Sequence, residues 1–239
     1  MLQVHVEVLK EPRGFIKILQ FLLAILAFST TVSFSTYFTF HATVPNCQGG
    51  LNDVVRNTVE YPFALDAVLI RQTLCSSPPQ TASFHFPTDV SPQAKFFVAL
   101  GVICMLYAVL ALVGYVLLHD MYIGRRLIPS ADFVLHAALA FLWLVAAAAW
   151  AAGMSTLADG SDPEPALSRL CDQLIGVQCS VNGDDHRGSF GKLNASLCFG
   201  FLNMFVWAAN LWFIFKETMW YRARPENATT AAPAPSANA

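Results

Sequence analysis

Four separate stretches of this 239-residue chain are long enough and apolar enough to cross a bilayer: residues 16–40, 96–118, 132–152 and 196–215. A helix needs about 20 mostly apolar residues to span the hydrocarbon core. A helical span also satisfies its own backbone hydrogen bonds, which lipid cannot do. Each stretch meets that length, and none has Lys, Arg, Asp or Glu in its interior. The expected fold class is therefore all-α membrane, a four-transmembrane-helix bundle. Its membrane domain covers residues 16–218, between an N-terminal segment 1–15 and a tail 219–239. The connections 41–95 and 153–195 are long, and the middle one is short.

Only 13% of the residues are charged, against about 25% in soluble domains. A net charge of −2 excludes the basic footprint that a nucleic-acid partner needs. The first apolar run follows a charged stretch and lacks a small-residue cleavage site, so it reads as a retained span.

Charge predicts orientation. With both termini and the connection 120–131 on one side, that side holds eight cations: Lys10, Arg13, Lys17, Arg125, Arg126, Lys216, Arg222 and Arg224. The two long loops hold six over a much longer length: Arg56, Arg71, Lys95, Arg169, Arg187 and Lys192. The denser side is expected to face the cytosol. Both termini are then cytosolic and both long loops lumenal or external.

The cysteines are distributed accordingly. Cys47 and Cys75 fall in the first long loop, Cys171 and Cys179 in the second, and Cys104 and Cys198 inside spans. Paired loop cysteines in an oxidising compartment read as disulfides. Of the three connectivities, Cys47–Cys75 with Cys171–Cys179 is expected, because it needs no contact between loops. A zinc site is the alternative, but no CxxC or Cys/His ligand spacing occurs.

Within the first loop, Val54–Val59 and Ala67–Ile70 have strand-like composition. Glu60-Tyr61-Pro62-Phe63 separates them, and the expectation is a hairpin-like unit closed by Cys47 and Cys75. The hydroxyl-bearing residues Ser29, Thr30, Thr31, Ser33, Ser35 and Thr36 form a stripe expected to bond back to helical carbonyls. The third span is alanine-rich with small-xxx-small spacings. In the fourth, Gly200, Asn203, Trp207 and Asn210 share one face. That face reads as a helix–helix or oligomer interface, since amides in lipid need a neighbour.

Catalytic patterns are missing: there is no HExxH, GxSxG, Walker A or GxGxxG, and the chain reads as a non-enzyme with no cofactor. His136 is the one ionisable group well inside a span, and it reads as a packing residue rather than a proton relay. Asp132 reads as a helix N-terminal cap. A sterol-type pattern, a short motif of modest specificity, runs through Leu118, Tyr122 and Arg125.

Several segments go further than composition. They are Lys10–Gln20 (KEPRGFIKILQ), Glu60–Phe63 (EYPF), Ala94–Val98 (AKFFV), Phe141–Val145 (FLWLV) leading through Trp150 to Gly153, and Phe199–Asn203 (FGFLN) continuing through Asn210–Thr218 (NLWFIFKET). Together they resemble the synaptophysin family, which includes synaptoporin, pantophysin and mitsugumin, over about residues 8–221. The resemblance implies a MARVEL-type domain of small secretory or synaptic vesicles with cytosolic termini. It implies self-association, cholesterol binding and association with the vesicle fusion protein synaptobrevin. It also implies two lumenal disulfides on Cys47, Cys75, Cys171 and Cys179. The chain departs from the family in having no glycosylation sequon after Cys47 and no long Tyr/Gly/Gln-rich tail. A channel or transport oligomer and a cell-junction four-span protein are the competing readings. Transport is disfavoured by the lack of charge within the spans.

Overall fold

A computed structural model describes residues 7, 11–43, 53–67, 69–76, 79–85, 89–118, 127–160, 178–180, 186, 188–218 and 221. Four long helices carry the chain: α1 (Pro12–Val32), α2 (Ser91–Leu117), α3 (Leu127–Gly160) and α4 (Gly191–Glu217). All four are long and apolar enough to cross a membrane.

Each helix buries one seam. On α1 the buried positions include Lys17, Gln20, Ala24, Ala27 and Thr31. On α3 they include His136, Trp143, Trp150 and Leu157, and on α4 Leu193, Ser196, Asn203, Trp207, Asn210 and Ile214. These recur at steps of three and four, the spacing that keeps one helical face turned to its neighbours. Opposite them stand large apolar side chains, among them Leu110 at 70% exposed and Phe141 at 64%. In water such an exterior would aggregate. In lipid it is the solvent-matched face, and the polar groups belong inside.

The first span differs from the expected 16–40. The helix stops at Val32, and the chain continues as strand β1 (Ser35–Thr43). The hydrophobic period changes there. Phe34, Thr36 and Phe38 are buried while Ser35 is exposed, which is the two-residue alternation of a strand. The other strands are β2 (Asp53–Glu60), β3 (Leu69–Ser76), β4 (Pro79–His85) and β5 (Gln178–Ser180). One antiparallel sheet has the order β2-β1-β5, with Tyr37 opposite Thr58 and Ala42 opposite Cys179. A second pairs β3 with β4. The segment 54–59 is thus a strand, but it pairs with β1 and not with 67–70. A turn at Glu60–Phe63 and a short 3-10 helix at Leu65–Ala67 separate β2 from β3. Of the loop cysteines, Cys47 and Cys171 lie outside the described residues, and Cys75 and Cys179 are described only as strand backbone.

The chain forms two compact units. One comprises residues 26–99 and 146–198 and holds the strands. Its centre is aromatic. Phe63 sits 5.9 Å from Phe34 and 5.5 Å from Trp150, and Trp150 stacks with Phe97 at 6.2 Å. The Glu60-Tyr61-Pro62-Phe63 motif delivers Phe63 there, through a turn in which the Phe63 amide donates to the Glu60 carbonyl at 2.8 Å. The Trp150 indole donates to Ser196 Oγ at 3.0 Å, and Ser196 donates on to the Leu193 carbonyl. Gly153 packs on Gln93; an added Cβ there would come within 3.3 Å of the Gln93 Cβ. At the sheet, Arg56 lies 3.8 Å over the Tyr37 ring, and Tyr37 stacks on His186 at 4.3 Å.

Candidate functional site

The other unit comprises residues 1–25, 100–145 and 199–239, and its interior is polar. Lys17 stands six residues into α1, and the seam of that helix turns it inward. Its side chain is 1% exposed. Its ammonium hydrogen-bonds His136 Nε2 on α3. His136 Nδ1 lies 2.9 Å from the Asp132 carbonyl and 3.1 Å from the Asp132 carboxylate. A neutral imidazole with its proton on Nδ1 satisfies both ends: Nδ1–H donates to Asp132, and the Nε2 lone pair accepts from Lys17. From α2 the Tyr107 hydroxyl donates to Asp132 Oδ1, and the Tyr115 hydroxyl donates to Oδ2 at 2.7 Å. The fourth helix closes the cluster with Trp207. Its ring lies 5.0 Å from His136 and 5.8 Å from Tyr107, with Lys17 Nζ 5.4 Å from its centroid. One cation and one anion are thus bridged by an imidazole, with groups from all four helices. Intramembrane ionisable groups are expensive and mark functional positions by default.

This arrangement corrects three expectations. Lys17 is not a flanking cation facing water; it is buried, and it leaves the cytosolic tally. Asp132 is not an N-terminal cap. The helix begins at Leu127, with Pro129 in its first turn, where a missing N–H costs nothing. The spans are therefore not free of internal charge, and the argument that disfavoured transport on that ground lapses.

Gly200, Asn203, Trp207 and Asn210 lie together on α4, all buried within the single chain. The amides do not pair across helices as expected. Asn203 Nδ2 donates to the Phe199 carbonyl of its own helix at 2.9 Å. Asn203 Oδ1, both polar atoms of Asn210, both of Gln20 and Trp207 Nε1 are buried without a hydrogen-bond partner. A buried polar atom left so costs about 1–3 kcal/mol.

Beside the cluster, a groove of about 480 Å³ runs between α2 and α3. Leu110, Ala111 and Gly114 line it from α2, Leu118 from just past the end of that helix, and Ile128, Ala131 and Leu135 from α3. Its polar groups are Tyr107, Tyr115 and Asp132. Gly114 faces open space there, with nothing within 4 Å of an added Cβ. Leu118, from the sterol-type pattern, lies in the groove wall; Tyr122 and Arg125 lie outside the described residues. Among the described residues, no group of three or more His, Cys, Asp or Glu is placed to hold a metal ion.

Residues 8–213 match the membrane-associating domain known as MARVEL, from just before α1 almost to the end of α4. Four spanning helices and a match over most of the chain place it plainly: this integral membrane protein belongs to the MARVEL family of membrane-associating domains.

Proposed function

We propose that this chain is a non-enzymatic organiser of small secretory or synaptic-like vesicle membranes. On this reading it is a member of the synaptophysin branch with both termini in the cytosol. It self-associates, associates with cholesterol and holds a synaptobrevin-like fusion protein. The observation that carries the reading is the match to a membrane-associating family across residues 8–213, on a chain that carries the synaptophysin-like segments at Lys10–Gln20 and Asn210–Thr218.

The groove between α2 and α3 supports the lipid part. It is apolar along its walls, opens beside Gly114, and carries among its lining the Tyr107 and Tyr115 hydroxyls hydrogen-bonded to the Asp132 carboxylate. Pockets of about 300–1,000 Å³ with apolar walls and few polar groups suit one small hydrophobic ligand. A photoreactive cholesterol added to cells expressing the chain should label peptides from Tyr107–Leu118 or Leu127–Leu135. Gly114→Phe, which fills the groove, should abolish that labelling. Labelling elsewhere only, or unchanged labelling of the variant, removes the groove from the reading. A tagged copy should co-fractionate with small vesicles and co-isolate synaptobrevin. Accumulation at cell contacts would favour the junction alternative.

A further inference from the structure

The polar wall of the groove between α2 and α3 has hydrogen bonds that run in one direction. The Tyr107 hydroxyl donates to Asp132 Oδ1, and the Tyr115 hydroxyl donates to Oδ2 at 2.7 Å. Each phenol has one proton, and that proton is spent on the carboxylate. The phenol oxygens can still accept, and an ionised carboxylate does nothing else. Asp132 reaches the groove with its side chain 9% exposed. Past the first turn of α3 the backbone N–H groups are spent on the helix ladder, so the main chain beside Asp132 supplies no donor. The polar side chains lining the groove are these three. At the level of Asp132 the groove therefore accepts hydrogen bonds and has none to give.

Charge narrows the ligand further. Lys17, joined to Asp132 through His136, already balances the carboxylate. A cationic headgroup would bring an unmatched charge into hydrocarbon. An anionic one would meet a carboxylate and find no donor. An ester or a ketone would set oxygen lone pairs against oxygen lone pairs. An uncharged hydroxyl donates its proton to the wall and adds no charge. We propose that this wall makes the groove selective for the free hydroxyl of a sterol, with Asp132 and its two phenols as the specificity-determining acceptors. The inference rests on the reading that the groove seats a sterol. It adds that the hydroxyl proton is what is recognised. A site built to hydrogen-bond a hydroxyl rejects the analogue lacking it, because the polar groups of the site then face a ligand that cannot pair with them.

The test is competition for labelling by photoreactive cholesterol, with the full chain in lipid nanodiscs. The competitors share one ring system: cholesterol, its methyl ether and its ketone. The ether and the ketone keep an oxygen acceptor and lose the donor. Each should be needed at about ten- to hundredfold higher concentration than cholesterol to halve groove labelling, the worth of one hydrogen bond to a charged group. Equal competition by all three, with the label in the groove, overturns the proposal and leaves the sterol reading standing. Absence of label from the groove removes the sterol reading, and the proposal falls with it. Asp132→Asn puts an N–H donor into the wall and should narrow the gap between cholesterol and the ketone. An unchanged gap in the folded variant refutes the role of the carboxylate. Should Asp132→Asn not fold, Tyr115→Phe decides. It strips the phenol proton from Oδ2, so the ligand hydroxyl gains a barer acceptor and the gap should widen. An unchanged or narrower gap refutes the assignment.

Discussion

The ammonium of Lys17 hydrogen-bonds the Nε2 atom of His136, a residue 119 positions later in the chain. That bond joins α1 to α3 in the only part of a membrane protein where water cannot replace it. The first prediction concerns its energetics. Removing one partner of a buried ion pair costs about 3–5 kcal/mol, whereas replacing the whole group by apolar residues is often neutral. Lys17→Met and Asp132→Leu should each lower the thermal midpoint of the detergent-purified protein. The triple variant Lys17→Met/His136→Leu/Asp132→Leu should recover most of the loss. Additive losses in the triple variant would show that the three residues do not act as one group.

The buried amides on α4 give a second prediction. Asn210 and the Asn203 carbonyl have no partner inside the bundle. Replacing both by Leu should leave stability unchanged or raise it by about 1–3 kcal/mol, the usual cost of an unpaired buried polar group. Oligomer recovered after crosslinking should be unchanged, since neither residue reaches the surface. A marked fall in crosslinked oligomer would mean that the bundle opens during assembly.

Topology is tested by protease protection. Protease added outside sealed vesicles should remove an epitope placed after Tyr221 and spare one placed near Asp184. Protection of the tail epitope would reverse the orientation on which the vesicle reading rests.

Non-reducing peptide mapping should show Cys47 joined to Cys75 and Cys171 joined to Cys179. Closing the longer loop, about 28 residues, removes on the order of 3–4 kcal/mol of unfolded-chain entropy. Its loss on reduction should exceed that of the shorter loop. A Cys47–Cys171 peptide would show instead that the two loops are stapled together.

At the start of α2 the Ser91 amide donates to the Asp89 carboxylate at 2.9 Å. That hydrogen bond holds the exposed Asp89 carboxyl below its ordinary range. A depressed carboxyl contributes stability above its unfolded value and loses it as the pH falls through the folded one. Amides in the first turn of α2 should therefore exchange faster with solvent deuterium once the pH drops below the ordinary carboxylate range. Asp89→Ala should exchange fast at every pH. Equal protection in variant and wild type would leave the turn held by other contacts.

How much of this was legible follows from what hydropathy measures. The number and rough position of the helices are set by runs of apolar residues, and the α4 face was visible from its three-and-four spacing. The end of α1 was not. Phe34, Tyr37, Phe38 and Phe40 are as apolar as the helix before them, and only the change of period at Phe34 marks the strand. The ionic chain was missed for a different reason. Lys17 lies near a helix end, where lysines usually reach for water, and Asp132 lies near another, where carboxylates usually cap. A signal was present nonetheless. Lys17 is in phase with Gln20, Ala24 and Ala27 and out of phase with Phe15, Ile18, Leu22 and Leu26, all four of which are exposed. A cation on the small-residue face of a membrane helix points inward.

The separation of Lys17 from His136 also fixes an order of events in biosynthesis. Ribosomes extend a chain at about 5–20 residues per second. The 119 residues that follow Lys17 up to His136 therefore take roughly 6–24 s to appear. Until α3 has been made, Lys17 has no His136 to hydrogen-bond, and a lysine near a helix end can reach for the headgroups. A nascent chain arrested between α2 and α3 should therefore present Lys17 to water-soluble amine reagents that the completed protein, in which the side chain is buried, excludes.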